Sequence, residues 1–171
     1  MYLIGIRWHI QYNTRMLNQY NIEGNMADIE HQITIARPVS DVFNALANYE
    51  NLEALQKWQP DMLSMGVTAG SPLRAGSMIA MTRRFMGGKI FVNVDVMEIQ
   101  RNKRFEINGI HGRFPFRREI EVNPVGRETT IRDSITIRTG WLFFWYRPFV
   151  TGALSRQTAQ EWDNLKQVLE G

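Results

Sequence analysis

From Pro148 to Glu170 the chain reads as one long amphipathic helix, and this stretch constrains everything that precedes it. Leu154, Thr158, Trp162, Leu165 and Leu169 recur at steps of four and three residues, which aligns them on one face. Arg156, Gln160, Asp163, Asn164 and Lys166 fall mostly on the other. Pro148 suits a first helical turn, where its missing N–H costs nothing, and Gly171 ends the periodic run. Burying large apolar side chains such as these stabilises a fold by about 1.5–3 kcal/mol each as an upper bound. A helix of this kind needs a broad apolar surface to lie on.

The preceding residues supply that surface as strands. Ile29 to Ala36 alternates, with Ile29, His31, Ile33 and Ile35 on one face, as a half-buried strand does. Arg37-Pro38 breaks it, and Val39, Val42, Phe43, Leu46 and Ala47 then repeat at helical spacing. A second short helix is predicted from Tyr49 to Lys57, ending near Trp58 and Pro60. From Asp61 the period switches to two: Leu63, Met65 and Val67 mark a strand, followed by a Gly/Ser/Pro-rich loop. The predicted class is α+β, with about seven strands, one before the short helices and six after.

Two hairpins carry the chemistry. Gly87-Gly88 is a two-residue turn signal, because both positions tolerate positive φ. Pairing Met86 with Lys89 sets Ile79 opposite Val96, Met81 opposite Val94, Arg83 opposite Val92 and Phe85 opposite Ile90. On that face only Arg83 is polar, placed either on the cavity face or at the end of the sheet with its head in water. Lys103 to Ile110 forms the next strand, turning at His111-Gly112. Phe114–Val122 and Glu128–Arg138 form the second hairpin around residues 123–127. Pairing Val122 with Thr129 sets Ile120 opposite Ile131, Phe116 opposite Ile135 and Arg118 opposite Asp133. The one cation and the one carboxylate of an otherwise apolar face are thus expected to meet.

Composition excludes several classes. A chain of 171 residues is most simply one domain, and 44% hydrophobic with 22% charged residues is globular, not disordered. The absence of cysteine removes disulfides, thiolate zinc sites and cysteine nucleophiles, and fits a cytoplasmic setting. The net charge of +3 is mild, and Arg83-Arg84 and Arg117-Arg118 lie within strands, so no nucleic-acid partner is expected. No His/Asp/Glu cluster has metal-ligand spacing, and no glycine-rich phosphate loop or nucleophile elbow is present, so neither metal nor cofactor is expected.

Residues 1–25 read as an N-terminal extension, too short in its apolar start for a membrane span, and no stable membrane insertion is expected. Glu23-Gly24 is necessarily encoded by a purine run, which makes Met26 a candidate natural start and 26–171 the ligand-binding domain.

One strand, two short helices, a six-strand meander and a long C-terminal helix resemble the helix-grip fold of the START/Bet v 1-like superfamily. That superfamily includes the bacterial SRPBCC, or polyketide cyclase/dehydrase, proteins. The resemblance runs from Ile29 to Glu170. It rests on the strand-to-helix opening Ile33 to Phe43 with its Pro-x-x-x-Val-Phe pattern, on Tyr49 to Pro60, and on Trp162, Leu165 and Lys166. It implies a curved antiparallel sheet gripping the helix, with an apolar cavity between them. Members bind lipids, polyketides, quinones or plant hormones, and some catalyse cyclisation or dehydration.

On that reading the cavity takes a small hydrophobic ligand. Its expected contacts are Met81, Arg83, Val92, Val94, Phe116 and Arg118, together with Asp133, Ile135, Phe143, Leu154 and Trp58. Three functions stay open: a carrier or sensor, a cyclase or dehydratase using Asp133 and Arg118, and an interaction module. The third would act through the aromatic run Trp141 to Phe149, whose simpler role is packing under the sheet.

Overall fold

The computed structural model describes residues 28–138 and 145–171. The candidate start at Met26, the extension 1–25, and Trp141 to Phe144 therefore lie outside the described residues. The described chain folds as β1 (Ile29–Ile35), α1 (Val39–Leu46), α2 (Leu52–Gln56), β2 (Met62–Ala69), β3 (Met78–Phe85), β4 (Gly88–Gln100), β5 (Arg104–His111), β6 (Phe114–Val125), β7 (Glu128–Ile137) and α3 (Arg147–Glu170). All strand pairs are antiparallel, in a seven-stranded sheet of order β1-β7-β6-β5-β4-β3-β2. This is the helix-grip arrangement.

The helix α3 is tied to both sides of that sheet. Toward β1, Lys166 Nζ donates to the Thr34 carbonyl at 2.8 Å, and Arg37 Nε donates to the Leu169 carbonyl. Toward β2 and β3, Gln157 Nε2 donates to Asp61 Oδ2 at 2.8 Å and to the Arg84 carbonyl at 3.0 Å. Leu154, Thr158, Trp162 and Leu165 are buried as the spacing predicts, with Leu169 half-buried. Val150 and Glu161 are also buried on this helix.

Strand curvature has visible causes. Register breaks fall between Met62 and Ser64, between Val67 and Ala69, and between Val96 and Glu98, and such breaks bend and twist a strand. The first makes Met62 the fully buried residue of β2, with Leu63 only half-buried. Gly109 sits mid-strand opposite both Val94 and Phe116. A Cβ there would stand 2.5 Å from the Asn93 carbonyl oxygen, 2.7 Å from Val94 Cγ1 and 2.9 Å from the Phe116 ring. Glycine is what lets three strands close up at this point.

Both hairpins differ from the predicted register, each by two residues. The first turn is Met86-Gly87, with φ of 50° and 80°, and Gly88 already pairs with Phe85. Ile79 therefore faces Val94, Met81 faces Val92 and Arg83 faces Ile90. The second turn is only Gly126-Arg127, Val125 pairing with Glu128, so Phe116 faces Ile137, Arg118 faces Ile135 and Ile120 faces Asp133. A two-residue slip preserves the side on which each side chain points, so the predicted inward set survives intact.

The aromatic run does not pack under the sheet where it is described. Trp145 is 62% exposed and Phe149 64% exposed, with the Tyr146 ring between them. Met78 is half-buried, Met81 is buried, and Met86 and Met97 are exposed. No described helix is long and apolar enough to cross a membrane.

Candidate functional site

The inward side of the sheet carries two apolar clusters. The larger joins α1, α2, Trp58, Trp162 and Leu165 to the inward residues of β3, β4 and β5. The smaller comprises Ile29, Ile135, Ile137 and Leu154. An interior cavity draws its walls from both: Met81, Val92, Val94 and Ile107 from one, Ile135, Ile137 and Leu154 from the other. It leaves about 40 Å³ for the centres of water-sized molecules. That is room for only a few waters, and any larger guest must displace side chains.

Eight of the sequence-predicted residues come together around this space: Met81, Arg83, Val92, Val94, Phe116, Arg118, Ile135 and Leu154. Phe143 lies outside the described residues. Asp133 and Trp58 do not line it. Asp133 is fully buried behind Arg118, and Trp58 stacks on Trp162 at 6.0 Å between ring centroids. Both support the wall from behind.

Sequence reasoning missed the polar lining residues Tyr49, Gln59, His111 and Thr158, and the apolar residues Phe114 and Val150. Thr158 and His111 carried a signal, the first as part of the helical stripe and the second by continuing the inward alternation of Ile107 and Gly109. Tyr49 and Gln59 lie in the α1–α2 region and reach the cavity only through tertiary packing.

Two buried ion pairs organise the polar wall. Arg118 grips Asp133 side-on, Nε to Oδ1 at 2.9 Å and Nη2 to Oδ2 at 2.8 Å. The two residues are diagonal across the β6–β7 ladder, within reach of a long side chain. Trp162 Nε1 donates to Asp133 Oδ2 at 2.9 Å, and its ring lies 5.5 Å from the guanidinium carbon. Burial pulls the Arg118 guanidinium toward neutrality, but the Asp133 charge and hydrogen bonds outweigh it and hold the proton more firmly than usual.

Of its two expected places Arg83 takes the cavity face, not the water at the sheet's end. It is 8% exposed and pairs with Glu161, which α3 presents from the opposite side. An arginine in an apolar face needs such a partner, because a lone buried charge is far costlier than a paired one. Arg83 Nε and Glu161 Oε2 are both buried without a hydrogen-bond partner among the described residues.

Two neutral groups complete the wall. Burial raises the Tyr49 hydroxyl pKa above its ordinary value, and the Arg118 and Arg83 charges offset part of that rise. Burial, then the Arg83 charge, lowers the His111 imidazole to about 4, and its Nε2 is buried without a partner among the described residues. At neutral pH the wall therefore presents guanidinium, phenol and uncharged imidazole. Among the described residues no cluster of three His, Asp or Glu side chains is arranged to hold a metal.

Residues 26–170 match the family described as polyketide cyclase / dehydrase and lipid transport. No curated protein matches the chain in sequence. Among solved structures, Ara h 8.0201 superposes with a TM-score of 0.64 at 13% identity, covering 82% of this chain and 95% of that one. A START superfamily protein from Mycobacterium smegmatis gives 0.65 at 14% identity, covering 83% and 96%. A conserved protein from Geobacillus kaustophilus gives 0.65 at 12% identity, covering 82% and 93%. At such identities the structures speak for the fold alone. With the family match across most of its length, the chain belongs to the polyketide cyclase / dehydrase and lipid transport family, and its fold is the one these solved structures share.

Proposed function

We propose that this protein binds a small hydrophobic molecule, such as a lipid, quinone or polyketide-like compound, in the cavity between the sheet and α3, as a carrier or sensor. The observation that carries the reading is a partly enclosed space with walls from two apolar clusters and a few convergent polar groups, the usual make-up of a small-molecule site. The small free volume is compatible with this, because Met81 and Leu154 are flexible linings that a guest can push aside. A cyclase or dehydratase that used Asp133 as its acid or base is less well supported. Asp133 already accepts three hydrogen bonds and sits behind Arg118, away from the space a substrate would fill.

Native mass spectrometry of the freshly purified protein, with extraction of any bound compound, tests the proposal. A co-purified apolar molecule is the expected result. Empty protein that also fails to bind N-phenyl-1-naphthylamine, a neutral apolar fluorophore, overturns it.

A further inference from the structure

The polar wall is asymmetric in a way that bears on the ligand's chemistry. Both guanidiniums, Arg83 and Arg118, line the cavity, whereas neither of their carboxylate partners, Glu161 and Asp133, does. Each pair is neutral as a whole, but only its cationic member belongs to the cavity wall. The donors are also incompletely used. The side-on grip on Asp133 engages Nε and Nη2 of Arg118, and among the described residues Nη1 has no acceptor. Arg83 spends Nη2 on Glu161 and leaves Nε without an acceptor among the described residues. Tyr49 stands within the field of both arginines. An apolar guest alone would seal these donors away from water with nothing to accept from them, at a cost that a matching acceptor removes.

We infer that the bound molecule is an apolar acid: a hydrophobic body carrying one oxyanionic head, of the carboxylate class, which docks against the cavity-facing sides of Arg83 and Arg118 beside Tyr49. The inference rests on the ligand-binding reading above and narrows it. The carboxylates behind the arginines hold the guanidiniums in place and keep the empty site from carrying two uncompensated buried charges. The oxyanion accepts from the N–H groups those carboxylates leave unused.

The test is displacement of N-phenyl-1-naphthylamine from the full chain near neutral pH by decanoate, decanol and methyl decanoate, which share a tail and differ in the head. Decanoate is expected to displace the probe at a roughly tenfold lower concentration than decanol, the size of one charge-assisted hydrogen bond. In the double variant Arg83→Met/Glu161→Gln, which removes the pair without leaving a lone charge, that preference should shrink while decanol still displaces. Displacement by decanol as its readiest competitor overturns the acidic head and leaves the ligand-binding reading standing. An undiminished decanoate preference in the double variant overturns the assignment to Arg83. Failure of the probe to bind at all, with none of the three compounds detected by native mass spectrometry, overturns both readings together.

Discussion

Arg118 and Asp133 stand two residues out of cross-strand register, yet they form a side-on bidentate pair, because the arginine crosses the β6–β7 ladder diagonally. Trp162 closes the pair from α3 with a 2.9 Å hydrogen bond to Asp133. One buried carboxylate thus joins two strands and the gripping helix.

Replacing Asp133 by Asn leaves the Arg118 guanidinium buried without its counter-charge. The expected loss is about 3–5 kcal/mol of unfolding free energy, read from the urea midpoint. The double variant Arg118→Met/Asp133→Asn removes the stranded charge and should recover part of the loss. A double variant less stable than Asp133→Asn would show that the pair does not act as a unit.

Gly109→Ala places a methyl group 2.5 Å from the Asn93 carbonyl oxygen and against Val94 and Phe116. Backbone must shift to admit it, at a cost of about 1–3 kcal/mol. Since Val94 and Phe116 both line the cavity, apolar probe affinity should fall as well. Thermal unfolding and probe titration measure the two effects separately.

Val94→Trp fills the cavity from the β4 side. Affinity for N-phenyl-1-naphthylamine should drop by at least about tenfold, while overpacking costs about 1–3 kcal/mol of stability. A variant that binds the probe as the parent does would place the probe elsewhere.

His111 makes stability depend on pH. Folding favours the neutral imidazole, since its pKa falls from 6.5 when unfolded to about 4 when folded. The unfolded chain therefore takes up the proton first as the pH falls. Its contribution is complete above about pH 6.5 and is lost progressively toward pH 4, by up to about 3 kcal/mol. Urea titrations across that window should show the loss, and His111→Phe should flatten it.

The fold was legible because period-two and period-3.6 patterns are local. So was the inward set: Met81, Arg83, Val94 and Arg118 face the cavity as alternation requires. Register was less legible. A glycine pair admits turns centred one position apart, and the structure places Met86 at positive φ where Gly88 was expected to take that role. Moving a turn centre by one residue moves every partner by two, which alternation cannot detect. Glu161 was readable as a charge on the buried stripe, three residues after Thr158 and four before Leu165. Its partnership with Arg83 was not, because only the packing of α3 across the sheet brings them together. Tyr49 and Gln59 reach the cavity by the same long-range route.

Methionine methyl NMR tests the central claim most directly, because the chain carries its own controls. Met81 lines the cavity, whereas Met97 is exposed on the outer side of β4. On titration with decanoate the Met81 methyl resonance should shift strongly and saturably while that of Met97 stays in place. A saturable shift at Met97 with Met81 unmoved would contradict binding between the sheet and α3.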